Sequence, residues 1–180
     1  KEALPSLMAG KPALFVGETG GAKTALAEYI SHQYFGVEPE FISAYGDVNS
    51  YQLMGKQELR EQNSASVSEF MPGPIVRAME QGRPLILDEI NAMPPEILKR
   101  LNKVMQLRPG DTFTIQEDSG RQVVVQSGFC VMATANEKSK RYKGVDDLSV
   151  EFQNRFGANI YRVRYPDHDN SYIDVPIENE

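Results

Sequence analysis

Apolar and polar positions along this chain follow two rhythms. Short, nearly continuous apolar runs recur at PALFVG (12 to 17), PEFISAY (39 to 45), RPLILDE (83 to 89) and GFCVMATAN (128 to 136), with NIYRVRYP (159 to 166) as a fifth. Such runs, rich in β-branched and aromatic residues and spaced by helical patterns, predict a parallel sheet buried on both faces. Between them, AKTALAEYISHQYF sets Leu26, Ile30 and Tyr34 at helical spacing, and PPEILKRLNKVM sets Ile97, Leu101, Val104 and Met105 on one face. Both predict amphipathic helices. Lys99, Arg100 and Lys103 fall on the other face of the second, and Pro94 and Pro95 suit its first turn, where a missing N–H is harmless. GPIVRAMEQG (73 to 82) predicts a shorter helix ended by Gly82.

Two segments break the strand-helix rhythm. KQELREQNSASVSEFMPG (56 to 73) is polar and serine-rich in its middle, which predicts an exposed excursion. GDTFTIQEDSGRQVVVQSG (110 to 128) alternates apolar and polar residues on both sides of EDSG and predicts a β-hairpin.

At 180 residues the chain has the size of one domain, and its 41% hydrophobic and 24% charged residues are those of a folded globular protein with no transmembrane-length apolar run. Neither a starting methionine nor a leader pattern precedes the first strand, so no secretory signal is expected. Cys130, the single cysteine, lies inside an apolar run and reads as a buried thiol in a reducing compartment, which points to a cytoplasmic location. The net charge of −6 offers no electrostatic footprint for nucleic acid as the main partner.

The candidate chemistry begins at GETGGAKT, Gly17 to Thr24, between an apolar strand and a helix. A glycine-rich strand-to-helix loop aims backbone N–H groups and the positive helix end at one point, which makes an anion site. Gly17, Glu18, Thr19, Gly20, Gly21 and Ala22 would wrap a nucleoside triphosphate, Lys23 would reach its β- and γ-phosphates, and Thr24 would bind Mg²⁺. Ala22 stands where the phosphate-loop pattern has glycine, a cost if that residue needs positive φ or if its Cβ meets the phosphates.

The acids that Mg²⁺-ATP needs are supplied at the end of the third apolar run. Asp88 would hold Mg²⁺, and Glu89 would act as general base on the attacking water. Asn136, closing the fourth run, could hydrogen-bond the γ-phosphate or that water; its plain alternative is a strand-end turn residue. Arg155, between Phe152 and Phe156, could point outward into a neighbouring subunit and stabilise the phosphoryl-transfer transition state, its plain alternative being a surface salt bridge.

Taken in order, GETGGAKT, GPIVRAMEQGRPLILDEINAMPPEILKRL, FCVMATANE and EFQNRFG resemble an AAA+ ATPase of the MoxR and dynein-related (midasin-like) branch, over about the whole chain. The resemblance makes the first motif Walker A, Asp88 and Glu89 Walker B, Asn136 sensor 1 and Arg155 the arginine finger. It implies that alanine at position 22 is tolerated, as that branch often has it there. Also implied are an α/β P-loop NTPase fold of three αβα layers, a mostly parallel five-stranded sheet in the order 5-1-4-3-2, and a β-hairpin insert before sensor 1. The family further implies ATP and Mg²⁺ as ligands and a ring, usually a hexamer, with ATP between subunits. A nucleotide-binding core is expected over 1–166, and a polar tail over 167–180 leads toward a helical lid that this stretch does not contain, so a fragment is expected.

Other polar residues read as bland. His32 and His168 lie far from any metal motif, so no metal other than nucleotide-bound Mg²⁺ is expected. Met54, Met71, Met79, Met93, Met105 and Met132 read as core filling, Asp147 after Asp146 as a helix cap, and SKRYK (139 to 143) as a solvated loop, its alternative being an intersubunit contact with acidic residues or phosphate.

The excursion at 56 to 73 and the hairpin lack the aromatic and basic alternation of a nucleic-acid platform, so a protein client is expected. The family suggests chaperone-like remodelling or maturation of that client alongside a von Willebrand factor A domain protein. Two other readings stay open: a nucleotide-dependent scaffold with little turnover, and a nucleic-acid motor.

Overall fold

The computed structural model describes residues 1–18, 22–44, 48–62, 65–136 and 148–163. Five strands, β1 (Ala13–Gly17), β2 (Glu40–Ser43), β5 (Pro84–Asp88), β8 (Cys130–Asn136) and β9 (Ile160–Arg162), form one sheet. Two separate hairpins are β3 (Gly55–Gln62) with β4 (Ala65–Pro72), and β6 (Thr112–Ile115) with β7 (Arg121–Val124). The sheet order is β2-β5-β8-β1-β9 with every neighbouring pair parallel. Counted among sheet strands alone, this is the expected 5-1-4-3-2 order.

The near-continuous apolar strands follow from burial on both faces. Along β1, Leu14 and Val16 join the core on one side of the sheet, and Ala13 and Phe15 the core on the other. Strand β8 divides likewise, with Val131, Ala133 and Ala135 on the first side and Cys130 and Met132 on the second. Burial pushes the Cys130 thiol up to about 12, so it is an inert apolar side chain there.

Helices α1 (Leu4–Met8) and α2 (Lys23–Ile30) cover the second side, and α3 (Ser50–Met54), α4 (Pro74–Gln81), α5 (Pro95–Met105) and α6 (Val150–Asn154) cover the first. The α5 pattern is as expected: Ile97, Leu101, Val104 and Met105 are buried, each contributing roughly 1.5–3 kcal/mol by transfer from water. That far exceeds the few tenths separating most residues in helix propensity, so packing fixes this helix. Gly82 ends α4 in the left-handed region at φ 63°.

Three expectations change. Helix α2 gives way to a π-helical turn over Ser31–Phe35, whose wider winding carries Tyr34 out to solvent (40% exposed), so Phe35 packs in its place. The excursion at 56 to 73 is exposed, as its polarity suggests, but it is the regular hairpin β3-β4. Helix α6 is capped by Ser149, whose Oγ accepts from the Phe152 N–H at 3.2 Å, and not by Asp147, which lies outside the described residues. Five of the six core methionines are buried, while Met71 is half-buried on β4 beside Arg60. His168, SKRYK and the tail at 167–180 also lie outside the described residues. No helix among the described residues is long and apolar enough to cross a membrane.

Candidate functional site

Parallel pairing brings the candidate residues to one edge. Gly17 is opposite Asn136 in the β1-β8 register, and Ser43 is opposite Asp88 in the β2-β5 register. The C-terminal ends of β1, β5 and β8 therefore meet, the edge where open α/β sheets bind ligands.

Lys23 opens α2 and is buried. Its Nζ donates to the carbonyl oxygens of Gly17 at 3.2 Å and Glu18 at 2.6 Å, which keeps an ammonium inside the loop. Ala22 has φ −68° and ψ 29°, so its φ is negative and alanine here needs no left-handed backbone. Thr19, Gly20 and Gly21 lie outside the described residues.

Asp88 is the hub of the site. Its Oδ1 accepts from the Thr24 hydroxyl at 2.7 Å and from the Thr134 hydroxyl at 2.7 Å. Thr134 in turn accepts from the Glu89 N–H at 3.0 Å. Glu89 sits at φ 56° and ψ 51°, and among the described non-glycine residues only it and Ser119 have positive φ. A left-handed non-glycine residue costs on the order of 1–2 kcal/mol and marks a place where surrounding structure fixes the backbone. Here Thr134 supplies that constraint from the neighbouring strand. The Asn136 amide donates to Glu89 Oε1 at 3.3 Å, and the Asn136 N–H donates to Asn91 Oδ1 at 3.4 Å.

Thr24, Asp88, Glu89 and Asn136 thus form one hydrogen-bonded group through Thr134, with Lys23 next to Thr24 at the start of α2. Sequence reasoning missed Thr134 and Asn91. Thr134 carried a signal, because it shares a strand face with Asn136 two residues later in an otherwise apolar run.

The Thr24 hydroxyl, Asp88 carboxylate and Thr134 hydroxyl form an all-oxygen set, the hard donors that Mg²⁺ takes. Among the described residues no group of three or more His, Cys, Asp or Glu surrounds a metal position. The set accordingly suits an ion that fills its remaining positions with water and phosphate oxygens.

Gly17 has a packing duty besides its place in the loop. A Cβ there would lie 2.3 Å from the Val163 carbonyl oxygen, because the chain beyond β9 crosses close to β1. Gly17→Ala is expected to lower stability by about 1–3 kcal/mol through forced separation of these backbones, read as a lower urea midpoint with unchanged slope. A wild-type midpoint would contradict that duty.

Arg155 is not part of this group. It lines a cavity of about 400 Å³ with Lys11, Pro12, Arg108 and Asn159, at the N-terminal ends of β1 and β9. The five-residue β1 separates the two edges by about 16 Å. Phe152 and Phe156 anchor its segment as expected, both buried with rings edge-to-face at 5.9 Å.

Residues 12–156 match the family model described as AAA domain (dynein-related subfamily). The chain is 35% identical over 155 residues to the uncharacterized protein YojN of Bacillus subtilis strain 168, covering 86% of this chain and 49% of that protein. It is 32% identical over 161 residues to the uncharacterized protein SERP0979 of Staphylococcus epidermidis, covering 88% and 57%. This chain therefore spans about half the length of the curated relatives it matches. Among solved structures, a candidate ATPase from Cytophaga hutchinsonii superposes with TM-score 0.63 at 21% identity, over 97% of this chain and 47% of that one. NtrX from Brucella abortus gives TM-score 0.60 at 16% identity, over 91% and 35%, so both likenesses concern the fold.

Proposed function

We propose, on the premise that this chain belongs to the dynein-related subfamily of AAA domains, that it binds Mg²⁺-ATP at the C-terminal edge of the sheet and hydrolyses it. The observation that carries this reading is the hydrogen-bonded group from Thr24 through Asp88 and Thr134 to Glu89 and Asn136, at the same sheet edge as buried Lys23.

Each residue has a role that its contacts support. The loop Gly17 to Thr24 would offer backbone N–H groups to the phosphates, and Lys23 would exchange its carbonyl partners for phosphate oxygens. Thr24 and Asp88 would hold Mg²⁺, which when bound offsets charge developing on the phosphate oxygens. Glu89 takes the proton of the attacking water, and Asn136, within reach of the same carboxylate, fixes where that water stands. Arg155, on the far edge, serves the next subunit's site, and Lys11 and Arg108 make its surroundings cationic. The ring is read as a hexamer and the location as cytoplasmic.

The hairpin β3-β4 is the surface we assign to a protein client, with β6-β7 braced against it. Gln57 donates to Asp118 at 3.3 Å, the Arg121 guanidinium lies 5.8 Å from the centre of the Phe70 ring, and Ser50 on the neighbouring α3 donates to Glu117 at 3.1 Å. Arg100 on α5 pairs with Glu117, which links the braced hairpins to the helix that follows Glu89. We read the work done as chaperone-like remodelling or maturation, with a von Willebrand factor A domain protein as a candidate partner and a core over 1–166.

The test is steady-state phosphate release by the full-length protein. Release that depends on ATP and stops when EDTA removes Mg²⁺ is expected. ATP binding without release would favour a scaffold instead, and strong stimulation by DNA or RNA would favour a nucleic-acid motor.

A further inference from the structure

We propose that Asn102 is the positioning residue for Arg155, presetting the guanidinium for a neighbouring subunit's phosphate; the inference rests on the trans-acting role assigned to Arg155 above. Three side chains meet around that guanidinium. Asn102 Oδ1 accepts from Arg155 Nε at 2.6 Å, and Asn102 Nδ2 donates to Glu151 Oε1 at 2.7 Å. Glu151 Oε1 also accepts from Arg155 Nη2 at 3.2 Å, closing a triangle. The triangle fixes the Asn102 amide, since its oxygen faces a donor and its nitrogen faces an acceptor.

The two edges of the guanidinium have different partners. Asn102 and Glu151 take the side-on edge, made of Nε and Nη2. The end-on edge, made of Nη1 and Nη2, faces the Gln106 side-chain amide, whose oxygen, when turned toward these two donors, accepts from them at 3.2 and 2.7 Å. Gln106 is exposed and can swing away, whereas half-buried Asn102 lies mid-helix in α5. A phosphate can therefore replace Gln106 on the end-on fork while the side-on contacts keep the plane of the guanidinium. Glu151 contributes less, as its side chain is 69% exposed and its ion pair is an i,i+4 contact in water. Helix α5 is also the α-helix reached from Glu89 after the short turn Ile90–Ala92, so the helix leaving one subunit's acids aims the arginine meant for the next.

The experiment compares ATP turnover of full-length Asn102→Ala, Arg155→Ala and the double variant. Arg155→Ala should lose about 10³-fold or more in kcat. Asn102→Ala should lose about 10- to 100-fold in kcat with KM for ATP within about twofold, since a misaimed arginine weakens only the transition state. The double variant should be no slower than Arg155→Ala alone.

Wild-type kcat in Asn102→Ala, a change confined to KM, or a loss that multiplies onto Arg155→Ala would each overturn the inference while leaving Arg155 in place. Wild-type turnover in Arg155→Ala would overturn the trans-acting role itself, and the inference with it. Alanine has the higher helix propensity, so Asn102→Ala should fold. If it does not, Asn102→Leu, which keeps the side chain's size and removes its acceptor, carries the test: a loss of about 10- to 100-fold in kcat, absent on the Arg155→Ala background, supports the inference, and an unchanged kcat overturns it.

Discussion

Replacing Glu89 by Gln is expected to lower ATP turnover by about 10²–10⁴-fold while leaving Mg²⁺-ATP bound. The amide keeps the shape and still accepts from Asn136, so the strained backbone at φ 56° and its bond to Thr134 have no reason to change. What disappears is the basic oxygen that takes a proton from water. Lys23, Thr24 and Asp88, which would meet the phosphates and the metal, are untouched, so affinity should stay within a few-fold of wild type. Single-turnover phosphate release beside equilibrium binding separates the two quantities. Equal losses in both would mean that Glu89 supports the site's structure and not its chemistry.

Arg155→Ala is expected to cost about 10³-fold or more in turnover, through a subunit other than its own. Its place at the N-terminal ends of β1 and β9 leaves it no path to the Lys23 edge of the same chain. The decisive form of the test mixes full-length Glu89→Gln with full-length Arg155→Ala, each nearly inactive alone. In mixed rings an intact Glu89 from the second variant can face an intact Arg155 from the first, so turnover should return. No recovery, with mixed assembly verified, would exclude action in trans.

The strands were legible because burial on both faces demands unbroken apolar runs, and β1, β5 and β8 each have one. Gly17, Lys23, Thr24, Asp88, Glu89 and Asn136 were legible because strand ends in a parallel sheet converge on one edge. Less visible was β3-β4, a backbone ladder whose side chains are mostly exposed and build no buried apolar face. Glu58 stands directly opposite Glu69, and the pair is tolerated because Lys56 holds Glu58 at 2.9 Å and Arg60 holds Glu69 at 3.3 Å. Helix α3 also went unread, although Asn49 and Gln52 form a reciprocal capping box. The exit of Tyr34 from the core depends on a π-turn, which hydrophobic spacing does not announce. Thr134 hid among apolar neighbours, and the Asn102 contact joins positions 53 residues apart that no local pattern connects.

Mg²⁺-ATP binding by the loop with Ala22 is the claim on which the rest stands. Calorimetric titration with Mg²⁺-ATP of the wild type, Lys23→Ala and Ala22→Gly tests it most directly. Saturable binding that is lost in Lys23→Ala and unchanged in Ala22→Gly is the expected result, since Ala22 at φ −68° does not occupy the left-handed region that glycine favours. Binding that survives Lys23→Ala, or that appears only in Ala22→Gly, would contradict it.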